Sequence, residues 1–294
     1  MPALWTQWWR WASPLRPACS RERTFLWMMV VLLGFCVRSD LLGVTSLIRA
    51  LGLLPCFYDR ILDFFHSPAL DVSKLTQLWI SLILSSHPGL LRFHGRIVLV
   101  GDGIKVAKSG RKMPAVKSLH QCSQSNTKHP WIMGHSCQAI GILVQGLHSV
   151  VSIPLVARIH EGLIYTNRDK RTLLDKMVEL VFSLDISVPF YFVVDSYYAA
   201  RKVARPLLEK NQHIICRVRA NSVAYLRPQP DPLKRGRPKT YGDKVALRSL
   251  FDNPASMQIT DSPVYGEKNV NIRVRSVDLL WRPHAILVRF VAVI

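Results

Sequence analysis

At 294 residues with 49% hydrophobic and 9% aromatic content, the chain is long enough for a full core and excludes a disordered polymer. Its 39 Lys+Arg against 19 Asp+Glu leave a formal charge of +20, which selects polyanions as partners, nucleic acid foremost, and specifies no chemistry. Cysteines 19, 36, 56, 122, 137 and 216 form no C-x-x-C pair, so free thiols in a reducing compartment are expected rather than a disulfide framework.

The chain opens on a basic, Trp-rich leader, residues 1–23, whose "MPALWTQWWRWASPLRP" points to surface association at most. The apolar run "FLWMMVVLLGFCV", residues 25–37, is too short to span a bilayer, which takes about 20 residues. It has a basic leader but no small-residue cleavage pattern, so it reads as a buried helix. "GVTSLIRALGL" and "FYDRILDFFH" read as short amphipathic helices punctuated by Pro55 and Ser67-Pro68. In "LDVSKLTQLWISLIL", Leu75, Leu78, Trp79, Leu82 and Ile83 share one stripe and Asp71 is placed to cap it. Residues 24–93 are therefore expected as a small all-helical region.

From Arg96 the pattern changes to strands: "RIVLVGDGIKVAKS", "SCQAIGILVQG" and "SVVSIPLVARI" follow one another between Gly, Ser and Asn clusters. "NRDKRTLLDKMVELVFSL" keeps helical spacing, with Asn167 as its expected cap. "VPFYFVVDSYYAARKVARPLLEK" gives a buried strand, a carboxylate at its end and a helix bearing Arg201, Lys202 and Arg205; "HIICRVRA" is one more strand. Three strands, helix, strand, helix, strand is an α/β order around one mixed sheet.

Two aspartates stand out. Asp102 closes the first apolar strand, and Asp195 closes the strand "FYFVV". By itself Asp102-Gly103 reads first as a hairpin turn, and Asp195 reads equally as a helix cap. If the two strands lie side by side, both carboxylates project from one end of the sheet. There a divalent cation would keep both ionised, since magnesium prefers hard oxygen ligands and takes one or two carboxylates plus substrate phosphate and water. Lys105, Lys108, Arg111 and Lys112 follow at once and are candidates to hold a phosphate backbone.

Other motifs fail. His120-x-Cys122 and His135-x-Cys137 repeat a spacing that is unusual for structural zinc. His160-Glu161 lacks the second histidine of a zinc helix, "GIKVAKSGRK" lacks the Gly-Lys-Ser/Thr ending of a phosphate loop, and Ser196 lacks a nucleophile elbow. Tyr197 and Tyr198 read as packing at a helix start, or as a stacking surface for a flipped base.

"GDGIKVAKSGRKMPAVKSLHQ", "IMGHSCQAIGILV", "RIHEGLIYTNRDKRTLLDKM", "FYFVVDSYYAARK" and "SPVYGEKNVNIRVRSVDLLWRP" resemble bacterial insertion-sequence transposases with a DDE superfamily endonuclease domain, from about residue 26 to the last. The resemblance implies an RNase H-like mixed sheet flanked by helices over residues 94–294, in which acids bind divalent metal, Mg²⁺ or Mn²⁺, for cleavage and strand transfer at element ends. Asp102 and Asp195 fall on the family's first and second acids. The third, a glutamate on a downstream helix, has no match before Ile294; Glu209, Glu267 and Asp278 do not occupy its position. The expectation is a domain truncated before its third acid and inactive alone, with DNA as partner, a homo-oligomer when active, no membrane and no small-molecule cofactor, in the bacterial cytoplasm with the nucleoid. A non-catalytic DNA-binding remnant and an RNase H-like ribonuclease are the alternatives.

The stretch "PQPDPLKRGRPKTYGDK", residues 228–244, reads as a solvated loop between strands. Its "KRGRPK" matches an AT-hook core. Lys234, Arg235, Arg237 and Lys239 are its candidate DNA contacts, with the two arginines suited to the narrow minor groove of A·T steps.

Overall fold

The computed structural model describes all residues except 1, 41–42, 109, 111–112, 121–129, 161–170, 220, 230–238, 264–268 and 283–285. They form two compact units, Met1–Leu90 and Leu91–Ile294.

The first unit is helical: α1 (Pro2–Ala12), α2 (Glu22–Val37), α3 (Val44–Ala50), α4 (Tyr58–Phe65) and α5 (Val72–Ser86), with a 3-10 turn at Ser13–Ala18. Asp71 caps α5, its carboxylate accepting from the Lys74 amide at 2.9 Å. Phe25, Met28, Leu47, Ile61 and Phe64 make the core, and Trp79 of α5 packs on it. The leader enters that core: Ala12, Leu15 and Cys19 are buried in it and Trp8 packs against it. The expectation for residues 25–37 needs correction. Helix α2 buries Phe25, Met28, Met29 and Val31 but exposes Leu26, Leu33, Phe35 and Val37. An unbroken apolar run wraps every side of a helix, and only one stripe of it meets the core.

The second unit holds a seven-stranded mixed sheet of β1 (Arg92–Phe93), β2 (Arg96–Ala107), β3 (Lys117–His120), β4 (Trp131–Gln145), β5 (Val150–His160), β6 (Phe190–Val194) and β7 (His213–Cys216). Strands β2, β4 and β5 form an antiparallel meander; β6 then returns parallel to β2 on its free side, and β7 parallel to β6. This is the RNase H-like order. The crossovers are α6 (Leu173–Phe182) and α7 (Arg201–Glu209), joined by an ion pair between Lys202 and Asp175 at 3.1 Å. They cover one face of the sheet, where Leu99, Ile140, Ile142, Phe192 and Val194 are buried with Met177, Leu180, Val203 and Leu207. The sheet alternates: apolar residues of the opposite phase, Ile104, Val106, Ile159 and Ile215, are exposed.

Three sequence expectations change here. First, β2 does not end at Asp102 and no hairpin turns there: β4 keeps pairing with β2 through Ala107, opposite Gly134. Second, the cap of α6 is Thr172, not Asn167, which lies outside the described residues. Third, the sheet is not the only one. Strands β8 (Val223–Tyr225), β9 (Lys244–Ala246), β10 (Gln258–Asp261), β11 (Asn271–Trp281) and β12 (Ile286–Val293) form a separate five-stranded antiparallel sheet. It has its own core of Ala224, Leu247, Met257, Leu279, Trp281 and Phe290. The basic stretch 228–244 falls in sequence between β8 and the start of β9, and its residues 230–238 lie outside the described residues.

Candidate active site

The two aspartates meet through strand register. In the parallel ladder of β2 and β6 the last pair is Gly101 opposite Val194, so the next residue on each chain is an aspartate: Asp102 and Asp195. Neighbouring strands lie about 4.8 Å apart. The β6 chain turns away at that point while β2 runs on, which leaves both carboxylates at the end of the shared ladder. They lie on the same face, the one α6 and α7 do not cover. The paired residues before them, Val100 and Val193, are half-buried, whereas Leu99 and Phe192 are fully buried beneath the helices. A shallow cavity of about 200 Å³ opens beside Asp102, lined by Val100, Ala139, Gly141, Ser152 and Pro154.

Each carboxylate keeps donor capacity. Asp102 Oδ1 accepts from its neighbour's Gly103 amide at 2.7 Å. Asp195 caps the 3-10 turn Ser196–Tyr198, its Oδ1 accepting from the Tyr197 amide at 3.1 Å. Asp195 therefore caps this short turn and not the following helix α7, whose N-cap is Ala200, and the cap occupies one oxygen only. Both side chains are exposed, and among the described residues neither forms an ion pair with a lysine or arginine. Two adjacent, exposed carboxylates with no ion-pair partner among the described residues are a hard oxygen donor set, and they fit a divalent cation that keeps open positions for phosphate and water. Among the described residues no group of three or more His, Cys, Asp or Glu is placed to hold a metal.

The remaining acids weighed for the site are engaged elsewhere. Glu209 pairs with Arg205 at 2.8 Å. Asp278, in the second sheet, takes both arms of the Arg289 guanidinium at 2.8 Å, which holds its carboxyl below the usual range. Glu267 lies outside the described residues. Of the candidate cations, Lys105, Lys108 and Lys239 are among the described residues. Lys105 follows Asp102 by three positions, so alternation points it to the opposite face, where its ammonium donates to the His120 carbonyl at 2.6 Å. Lys108 is exposed just beyond the end of β2, and Lys239 is exposed ahead of β9. Arg111, Lys112, Lys234, Arg235 and Arg237 lie outside the described residues. His135 gives no sign of zinc: its Nε2 stands 2.9 Å from the Pro114 carbonyl.

Sequence reading missed a buried polar pair behind the acids. Tyr198 and Gln138 are 3% and 1% exposed, and Gln138 Nε2 donates to the tyrosine hydroxyl at 3.0 Å. The one available signal was a glutamine in the inward phase of the apolar run "SCQAIGILV". Burial first, and then the Asp102 and Asp195 charges, push the Tyr198 phenol up to about 12, against the lowering effect of the Gln138 hydrogen bond. It remains a neutral phenol throughout the physiological range.

No curated protein matches the chain. Among solved structures, one described as the piggyBac transposase synaptic complex with hairpin DNA is similar at 14% identity and a TM-score of 0.37, over 87% of this chain and 49% of that one. The chain thus spans about half the length of that protein, and the likeness is too slight to argue from. The family comparison is of another order. A model for the DDE superfamily endonuclease domain matches residues 14–279, taking in most of the helical unit, both aspartate-bearing strands and most of the second sheet. The chain belongs to the DDE superfamily endonuclease family.

Proposed function

We propose that this protein is a DNA transposase of an insertion sequence, acting at element ends through divalent metal held by Asp102 and Asp195. The observation that carries the reading is the register: two exposed carboxylates one step beyond the last pair of a parallel ladder, on the face the helices leave open. Magnesium or manganese bound there would activate the attacking water or 3′-hydroxyl and stabilise the leaving oxygen. The chain's own residues do the rest. Asp195 stays oriented by its cap to Tyr197, and Asp102 by the Gly103 amide. Lys108, Arg111 and Lys112 would carry the phosphate backbone past the acids, and the 228–244 loop would grip DNA with Lys234, Arg235, Arg237 and Lys239. The reading includes work as a homo-oligomer on paired ends in a bacterial nucleoid. No described helix is long and apolar enough to cross a membrane.

A second reading has an observation of its own. The described residues supply two acids where the family resemblance implies three, and no third joins them. In that reading the polypeptide binds element ends and does not cut alone. Nicking of supercoiled plasmid by residues 1–294 in Mg²⁺ and in Mn²⁺, beside Asp102→Ala and Asp195→Ala, separates the two. Cleavage by the wild type and by neither variant establishes the catalytic reading. Retarded DNA with no cleavage by any of the three establishes the binding one. Cleavage that survives both substitutions sinks the assignment of the acids. Preferential cutting of an RNA–DNA hybrid would mark a ribonuclease.

A further inference from the structure

One residue, Tyr198, links three of the segments around the acid pair. Tyr198 belongs to the turn that Asp195 caps, and its amide donates to the Asp195 carbonyl at 3.2 Å. Its ring runs under the sheet to Gly103, the residue after Asp102. A Cβ placed on Gly103 would stand 3.1 Å from the tyrosine oxygen, so that the absence of a side chain there makes the space the hydroxyl fills. Gln138 sits directly opposite Gly103 in the β2–β4 ladder, and its Nε2 donates both to the tyrosine oxygen and to the Leu173 carbonyl at the start of α6, at 2.8 Å.

The glutamine is held in place at a cost. Its Oε1 is buried with no hydrogen-bond partner among the described residues. A buried acceptor left unsatisfied destabilises the fold. An apolar residue would avoid that cost but would leave the phenol oxygen without its donor. The two bonds made by the amide nitrogen are what the position gains.

We propose that Tyr198 is the positioning residue of the carboxylate pair: its hydroxyl, held by Gln138, is wedged against Gly103 and fixes the turn carrying Asp195 relative to the strand carrying Asp102. Because β6 has left the ladder by Asp195, no further backbone pair sets that spacing, and the side chain takes over the task. The inference rests on the reading of Asp102 and Asp195 as metal ligands. Residues that orient ligands without touching metal typically change affinity by about 10–100-fold when altered.

The test is Mn²⁺ affinity of the full chain, followed by the electron paramagnetic resonance of free Mn²⁺ well below the unfolding temperature of every variant. Wild type should bind and Asp102→Ala should not; if the two bind alike, the metal reading fails and this proposal falls with it. Tyr198→Phe should bind about 10-fold more weakly at the lower end of that range. Gly103→Ala should also weaken binding, because its methyl strikes the hydroxyl. The double variant should be no weaker than Tyr198→Phe alone, because the phenyl ring lacks the oxygen in question. A purely structural tyrosine would lower the melting temperature and leave Mn²⁺ affinity at the wild-type value, which overturns the proposal. So do additive losses in the double variant. Should Tyr198→Phe fail to fold, Gly103→Ala decides, since it keeps the tyrosine.

Discussion

At the scale of single residues, the acid pair depends on small neighbours as much as on its oxygens. Gly101, immediately before Asp102, faces the helices, and a Cβ there would lie 2.5 Å from Phe192 Cζ and 2.7 Å from its Cε2. Phe192 is fully buried and has nowhere to retreat. Overpacking of this kind costs about 1–3 kcal/mol. Gly101→Ala should therefore lower stability by about that amount in urea unfolding, and Phe192→Leu in the same chain should recover part of it by vacating the space. A neutral Gly101→Ala would mean that the β2–β6 spacing is looser than the packing shows. On the open face, Gly141 is similarly constrained, its absent Cβ falling 2.3 Å from Ser152 Oγ. These glycines let strands approach, and none of this was visible as a motif.

At the scale of elements, α6 carries the clearest local signal of the unit. Thr172 accepts from the Asp175 amide at 3.3 Å, and the Asp175 carboxylate reaches back to the Thr172 amide at 2.8 Å, a complete capping box. Thr172→Ala should cost about 1 kcal/mol by urea unfolding. The Thr172 hydroxyl and amide, and then the Lys202 ammonium, hold the Asp175 carboxyl down at about 2, against an ordinary value of 3.8. A folded-state value below the unfolded one stabilises above about pH 4 and is lost as pH falls toward about 2. The melting temperature of Asp175→Asn should accordingly fall less steeply than that of the wild type between those limits. Parallel acid limbs would show that the carboxylate adds no folded-state stabilisation.

The same elements show what a sequence can and cannot disclose. Five of the seven strands in the first sheet, β2, β4, β5, β6 and β7, were legible because alternation and apolar runs are local, whereas β1 and β3, two and four residues long, carry too little pattern to read. The cap was misplaced by five residues because "NRDKRT" offers three polar cap candidates, and only Thr172 has an acid three residues on, Asp175, to complete a capping box. The second sheet was illegible for a different reason. Its β8 and β9 are three residues each, and Tyr225 pairs with Leu280 across more than fifty residues of chain. The partnership of Tyr198 and Gly103 was equally hidden, since it exists only once β2, β4 and the Asp195 turn are in register.

At the scale of the whole molecule, a charge of +20 makes DNA binding expected and uninformative, so the question is whether any part of the surface reads the duplex. Phosphate contacts alone are indifferent to sequence and weaken steeply with salt, as counterions return to the backbone. The 228–244 loop provides a way to do more. If Arg235 and Arg237 lie along a minor-groove floor, the guanine amino group obstructs them and A·T steps admit them. Competition with short A·T, G·C and inosine·cytosine duplexes tests this directly, because inosine removes that amino group while keeping the rest of the G·C pair. The expected order places A·T and inosine·cytosine together, ahead of G·C. Arg235→Ala/Arg237→Ala should bring all three to one affinity and reduce the dependence of log K on log salt by about two phosphate equivalents. Equal affinity for the three duplexes in the wild type would instead reduce the loop to a phosphate-binding strap. Any choice of DNA sequence would then have to come from another surface of the protein.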